Sequence, residues 1–115
     1  MIIYKAQGFS ARFLGWHVFP FTAQVLYFPQ CKAVHSFGLK RPLAILFIDK
    51  TSKAIGSWQC LKPNRILFSW QAEGVLEMDW GLRSKRHRAW VAFQQGQNTF
   101  KPWRYSYFGQ THCDK

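Results

Sequence analysis

The sequence predicts a mainly β fold: one compact domain, a β-sandwich or partly open barrel, with one short N-terminal helix. Three observations carry this. Short apolar or β-branched runs recur at close spacing, and Gly, Pro and Asn separate them. Only one stretch has helical character. The 115 residues are 48% hydrophobic and 18% charged, a balance that supports one packed core and argues against disorder.

The elements follow in order. Met1 to Tyr4 is apolar and β-branched and reads as a first strand. Ser10 can cap a helix over residues 11–16, because its hydroxyl accepts an orphan N–H of the first turn. Gly15 and Pro20 hold that helix to about two turns. Ala23 to Phe28 is strand-like, and Pro29 stops it. Leu43 to Ile48 is the longest wholly apolar run, six residues. That is too short for most helices and far below the roughly 20 residues of a membrane span, so it reads as a buried central strand. Asp49 to Lys53 is a polar turn, and Ala54 to Cys60 returns as the second arm of a hairpin. Ile66 to Phe68 and Val75 to Met78 are further strands, with Pro63, Asn64 and Gly74 at the turns. The expected core is Leu43, Ile45, Phe47, Val75, Leu76, Phe13 and Leu14. Most of Phe9, Phe13, Trp16, Phe28, Phe37, Phe47 and Phe68 should join it.

Sixteen Lys and Arg against five Asp and Glu give a formal charge of +11. Residues 1–81 carry nine basic and four acidic groups; residues 82–115 carry seven and one. The excess is therefore concentrated in the last third. Such a field attracts polyanions: nucleic acid, anionic lipid or acidic protein. Three cysteines, Cys31, Cys60 and Cys113, with no CxxC make no disulfide framework and fit reduced thiols in a cytoplasm. Lys5 and Arg12 precede the apolar stretch 13–21, but its Gly, His and Pro and the lack of a small-x-small site argue against a signal peptide.

The stretch Cys31-Lys-Ala-Val-His35-Ser-Phe37-Gly38-Leu-Lys40-Arg-Pro42-Leu43-Ala-Ile-Leu-Phe47-Ile-Asp49 resembles the pattern C-x-x-V-H-T-F-G-M-R-x-P-L-D-V-x-F-L-D of the bacterial and archaeal domain of unknown function family 192. Ala11-Arg12-Phe13-Leu14-Gly15, Leu61-Lys62-Pro63-Asn64-Arg65 and Val75-Leu76-Glu77-Met78 are similar to three further family motifs, in the same order. The likeness covers about residues 9–81. It implies a compact, jelly-roll-like β fold of bacterial type and no established activity. This chain has Ala44 where the family often has Asp, and Ser69 where it often has Cys. From Leu82 onward the family ending is absent. The dense Arg, Gln and Trp there fit either a shifted reading frame or a divergent C-terminus. The division is thus a family-like domain, 1–81, and a basic, aromatic extension, 82–115, more weakly anchored. Trp90 to Phe93 and Trp103 to Phe108 fit either two edge strands or a poorly packed tail.

Candidate chemistry is sparse. Cys31 and His35 are four apart, a spacing open to a nucleophile with its base or to two zinc ligands. The plainer alternative is a buried thiol and a turn histidine. The orienting carboxylate that the resemblance offers at position 44 is replaced by Ala, and no further ligands keep metal spacing, so no catalytic residue, metal or cofactor is expected. Gly38 lets the backbone turn before the central strand, which presents His35, Phe37, Lys40 and Arg41 as candidate binding residues; the plainer alternative, slightly favoured, is that the motif only shapes the entry into Leu43 to Ile48. Asp49 fits a turn former. In the extension, Arg83, Lys85, Arg86 and Arg88 alternate with Trp90 and Trp103, as in stacking surfaces for single-stranded nucleic acid, but no recognisable nucleic-acid module accompanies them. The expectation is a non-catalytic accessory or binding module, with nucleic-acid association through the extension as the alternative.

Overall fold

The computed structural model describes residues 3–6, 25–96, 101–105 and 111–113. Nine strands run in chain order: β1 (Ile3–Ala6), β2 (Val25–Pro29), β3 (Ala33–His35), β4 (Leu43–Ile48), β5 (Ala54–Leu61), β6 (Ile66–Phe68), β7 (Gly74–Asp79), β8 (Lys101–Tyr105) and β9 (Thr111–Cys113). A 3-10 turn, Trp80–Lys85, leads into the helix α1 (Arg86–Gly96). The radius of gyration is 12.9 Å, against about 13 Å for a folded chain of this length.

Seven strands form one sheet in the order β5-β4-β7-β2-β1-β8-β9; β3 and β6 form a separate two-stranded ribbon. The large sheet is open, with β5 and β9 at its ends, so the barrel expectation is corrected. The sheet is also mixed: β1 runs parallel to both β2 and β8, while β4 pairs antiparallel with β5 and β7.

The apolar run at β4 behaves as its composition demands. All six residues are buried, because both faces of this strand are covered. On one face Leu43, Ile45 and Phe47 join Leu26, Phe28, Leu61 and Val75 beneath the ribbon, whose Val34 points inward. On the other, Ala44, Leu46 and Ile48 join Ile3, Val25, Leu76 and Met78 beneath α1, whose Ala89 and Phe93 fill that layer. The described residues thus form ribbon, sheet and helix in three layers.

The hairpin forms as the polar turn predicts. Asp49 Oδ1 accepts from Thr51 N (2.8 Å), Thr51 Oγ1 (2.7 Å) and Lys53 N (3.0 Å). The Thr51 hydroxyl and these backbone donors hold the Asp49 carboxyl below its usual range.

Several expectations need correction. Among the described residues the α-helix is C-terminal; the N-terminal helix predicted over 11–16 lies outside them, as do Phe9, Phe13, Leu14 and Trp16. Trp90 to Phe93 is helical rather than an edge strand. A five-residue apolar run, Ala89 to Phe93, does not distinguish the two conformations, and tertiary packing of Ala89 and Phe93 decides for the helix. Residues 103–105 do lie in a strand, β8, next to the end of the sheet. Phe37 and Phe68 are not core: they are 48% and 51% exposed. The ribbon has one inner face only, and Val34 and Leu67 occupy it.

Candidate functional site

The loop before β4 and the turn before β6 meet at Ser36, which is fully buried. Ser36 N donates to Arg65 O (2.9 Å), and Asn64 N and Leu39 N both donate to Ser36 O (3.1 Å each). Its hydroxyl donates to Lys62 O and accepts from Arg65 N (3.0 Å). Gly38, at φ +80°, donates its N–H to Asn64 Oδ1 (3.0 Å), and Asn64 is itself left-handed at φ +60°. The turn predicted at Gly38 is therefore present and is clamped by residues 62–65. Ser36 is a residue that sequence reasoning passed over; its only signal was its position beside the glycine turn.

This clamp fixes what the candidate binding residues do. His35 ends β3 on the outer face of the ribbon, its Nδ1 accepts from Phe37 N (3.3 Å), and the two rings stack at 5.3 Å. The β3–β6 register sets His35 opposite Ile66 and Ala33 opposite Phe68. Phe68 in turn meets Trp70 edge-on at 4.8 Å. Phe37, Ile66, Phe68 and Trp70 are the exposed large hydrophobic residues among those described, and Trp70 is 80% exposed. All four extend this one face. Lys32 Nζ donates to the carbonyls of Trp70 and Ala72 (2.9 Å each), which pins the loop that carries the tryptophan.

Lys40 is exposed, as are Lys62 and Arg65. Arg41 is held by an ion pair. Its Nη2 pairs with Asp79 Oδ2 at 2.7 Å, and the same oxygen caps the 3-10 turn through Gly81 N (2.9 Å). Arg41 thus ties the loop before β4 to the end of β7. Asp79 is buried and its other oxygen, Oδ1, has no hydrogen-bond partner.

Cys31 packs against the core under the ribbon, its Sγ 3.0 Å from Ala33 O, whereas His35 is exposed outside. Ala44 lies in the opposite layer, under α1. A carboxylate at position 44 would therefore sit across the sheet from Cys31 rather than orient it. No three of His, Cys, Asp and Glu gather into a metal site among the described residues. No described helix is long and apolar enough to cross a membrane.

Of the extension's candidates, Arg83, Arg86 and Trp90 line a groove of about 460 Å³ between α1 and the edge strand β5. Lys85 and Arg88 lie on the same turn and helix outside that lining, and Trp103 is in β8. Trp58 completes the groove from the β5 side, a residue that sequence reasoning did not single out. Compared with known proteins, the chain matches no family model, no curated protein and no solved structure.

Proposed function

We propose that the chain is a non-catalytic binding module, built on the plan of domain of unknown function family 192 over residues 9–81, that docks a protein partner on the outer face of the ribbon. The ribbon-on-sheet layers are read as the sandwich-like part of that plan. The meeting of two of the four resembling motifs at Ser36 supports the family reading, since neither clamps its loop without the other. The observation that carries the binding role is the gathering of Phe37, Ile66, Phe68 and Trp70 on one exposed face. Contiguous exposed apolar surface of this kind marks interaction sites, and Trp is the residue type most enriched at their energetic centres.

The cations at the rim define the partner. Lys40, Lys62 and Arg65 border the face, and none has an acidic partner among the described residues; Glu73 is paired with Lys32 at 3.7 Å. The partner is accordingly an apolar segment with acidic flanks, because rim charges steer encounter while the buried rings supply affinity. Selection from a displayed peptide library tests this. Enrichment of aromatic or aliphatic residues flanked by Asp or Glu is expected, with binding at least about ten-fold weaker for Trp70→Ala. Equal binding by wild type and Trp70→Ala, or no enrichment, refutes it.

A further inference from the structure

The groove between β5 and α1 is a second feature, on the other side of the sheet and independent of the ribbon. Its origin lies in the backbone. Ile45 pairs with Gln59 and Phe47 with Ile55, so Gly56, Ser57 and Trp58 stand opposite Leu46 alone. This irregularity, with Gly56 at φ +69°, bends the edge strand where Trp58 and Leu46 line the groove. Bulges of this kind re-aim side chains and are common beside functional sites. Among the described strands, β5 stands at the end of the sheet and pairs with β4 alone.

The other wall supplies charge. Arg83 and Arg86 carry their guanidinium carbons 5.4 and 5.8 Å from the Trp80 ring centroid. Arg83 Nη1 donates to Trp80 O (3.3 Å) and Arg86 Nε to Arg83 O (2.7 Å). Ring and carbonyls therefore hold both guanidinium groups in place, and no carboxylate among the described residues neutralises them. Each arginine has five N–H donors, so most remain for a ligand. Trp90, stacked on Phe93 at 5.7 Å and 20°, adds a second ring to the lining.

We propose that this groove binds a nucleotide unit of single-stranded nucleic acid, with the base against Trp58 and Trp90 and the phosphates on Arg83 and Arg86. The volume falls in the range of small-ligand sites, roughly 300–1,000 Å³. Two fixed cations beside two indole rings match a ligand that joins an anion to a flat aromatic group. Lys85 and Arg88 extend the positive field toward neighbouring phosphates. A duplex does not fit, because its bases are stacked away from any ring in a groove of this size.

The test is fluorescence anisotropy of a labelled oligothymidylate, titrated at several salt concentrations. Binding that weakens with salt is expected. Arg83→Ala with Arg86→Ala should weaken it at least about ten-fold and make the log–log salt slope shallower by roughly 1.4, two single-strand phosphate contacts. Trp58→Ala should weaken it roughly ten-fold and leave the slope unchanged. Cross-linking of a 5-iodouracil oligomer to the wild-type chain gives a readout free of any folding defect, with the adduct expected on Trp58 or Trp90. Competition separates two sources of the same chemistry: displacement by nucleoside monophosphate assigns the site to free nucleotides, displacement by oligomers alone to strands. Inorganic polyphosphate or duplex competing as well as the oligomer, or the arginine and tryptophan variants binding as the wild type does, overturns the proposal and leaves only the +11 net charge at work. Adducts confined to residues outside the groove also overturn it.

Discussion

Replacing Phe93 with alanine tests whether the C-terminal extension is part of the core. Phe93 is 1% exposed on α1, and its ring meets Tyr27 of β2 edge-on at 5.0 Å and Trp90 at 5.7 Å. Truncating a buried phenylalanine costs about 3–5 kcal/mol through lost transfer energy and the cavity left behind. The ring pair with Tyr27 adds about 1 kcal/mol. Relaxation of the one-helix layer recovers part of this, so about 4 kcal/mol is expected. A domain of this size holds roughly 10 kcal/mol in total, so the loss is a large share of it. Urea unfolding measures the change directly, with Phe47→Ala as the reference for a residue whose burial between sheet and ribbon is already set by β4. The two variants should be destabilised by similar amounts with unchanged m-values. A cost below about 1 kcal/mol for Phe93→Ala beside a full cost for Phe47→Ala would show that α1 is only loosely attached. The wild-type sheet would then be closed on that face by something else.

Four further outcomes are expected. Ser36→Ala should cost about 1–3 kcal/mol in urea unfolding, because it strands the Arg65 N–H and the Lys62 carbonyl in a buried site. Gly74→Ala should destabilise by more than an ordinary glycine replacement in a strand, since the added Cβ would stand 2.7 Å from the Tyr27 ring and hydroxyl; combining it with Tyr27→Ala should recover part of the loss. Burial, with the Glu73 charge second, raises the Tyr27 phenol above its ordinary value of 10.0, so its contribution is complete below pH 10.0 and is lost as pH rises through the folded value; Tyr27→Phe should flatten the alkaline arm of a stability–pH profile. The Asp49 carboxyl is shifted the other way, so its contribution holds above 3.8 and fades as pH falls through the folded value; Asp49→Asn should flatten the acid arm.

Most strands are legible in the sequence because burial and turn chemistry are local. Leu43 to Ile48 reads as a strand with both faces covered, and it is one. Asp49 announces its turn through a side chain that serves three donors within four residues. Strand β3 is harder to see. Ala33-Val34-His35 has one inward residue, and its pairing with β6 depends on a turn thirty residues away. The helix α1 is hidden for a different reason. Arg, Gln and Gly dilute its apolar stripe, leaving Ala89 and Phe93, four apart, as its buried positions. Exposure of Phe37 and Phe68 is not legible at all, since an aromatic residue in or beside a strand pattern reads as core until the layer count is known.

The same layer count explains why the proposed binding residues fall where they do. A two-stranded ribbon can bury one face only, so its outward positions, His35, Ile66 and Phe68, cannot be part of the domain's own core. Side chains there contribute little to folding, which is why the proposed partner face falls on them. The edge strand β5 follows a similar logic. Its irregularity at Gly56 to Trp58 interrupts ladder pairing with β4, and a regular strand would bury Leu46 more simply. Restoring regularity by deleting Ser57 and Trp58 should therefore leave the sheet folded, since one residue would then oppose Leu46. It should abolish oligonucleotide binding in the anisotropy assay if the groove is the site. Retained binding in a folded deletion variant would move the site elsewhere on the basic surface.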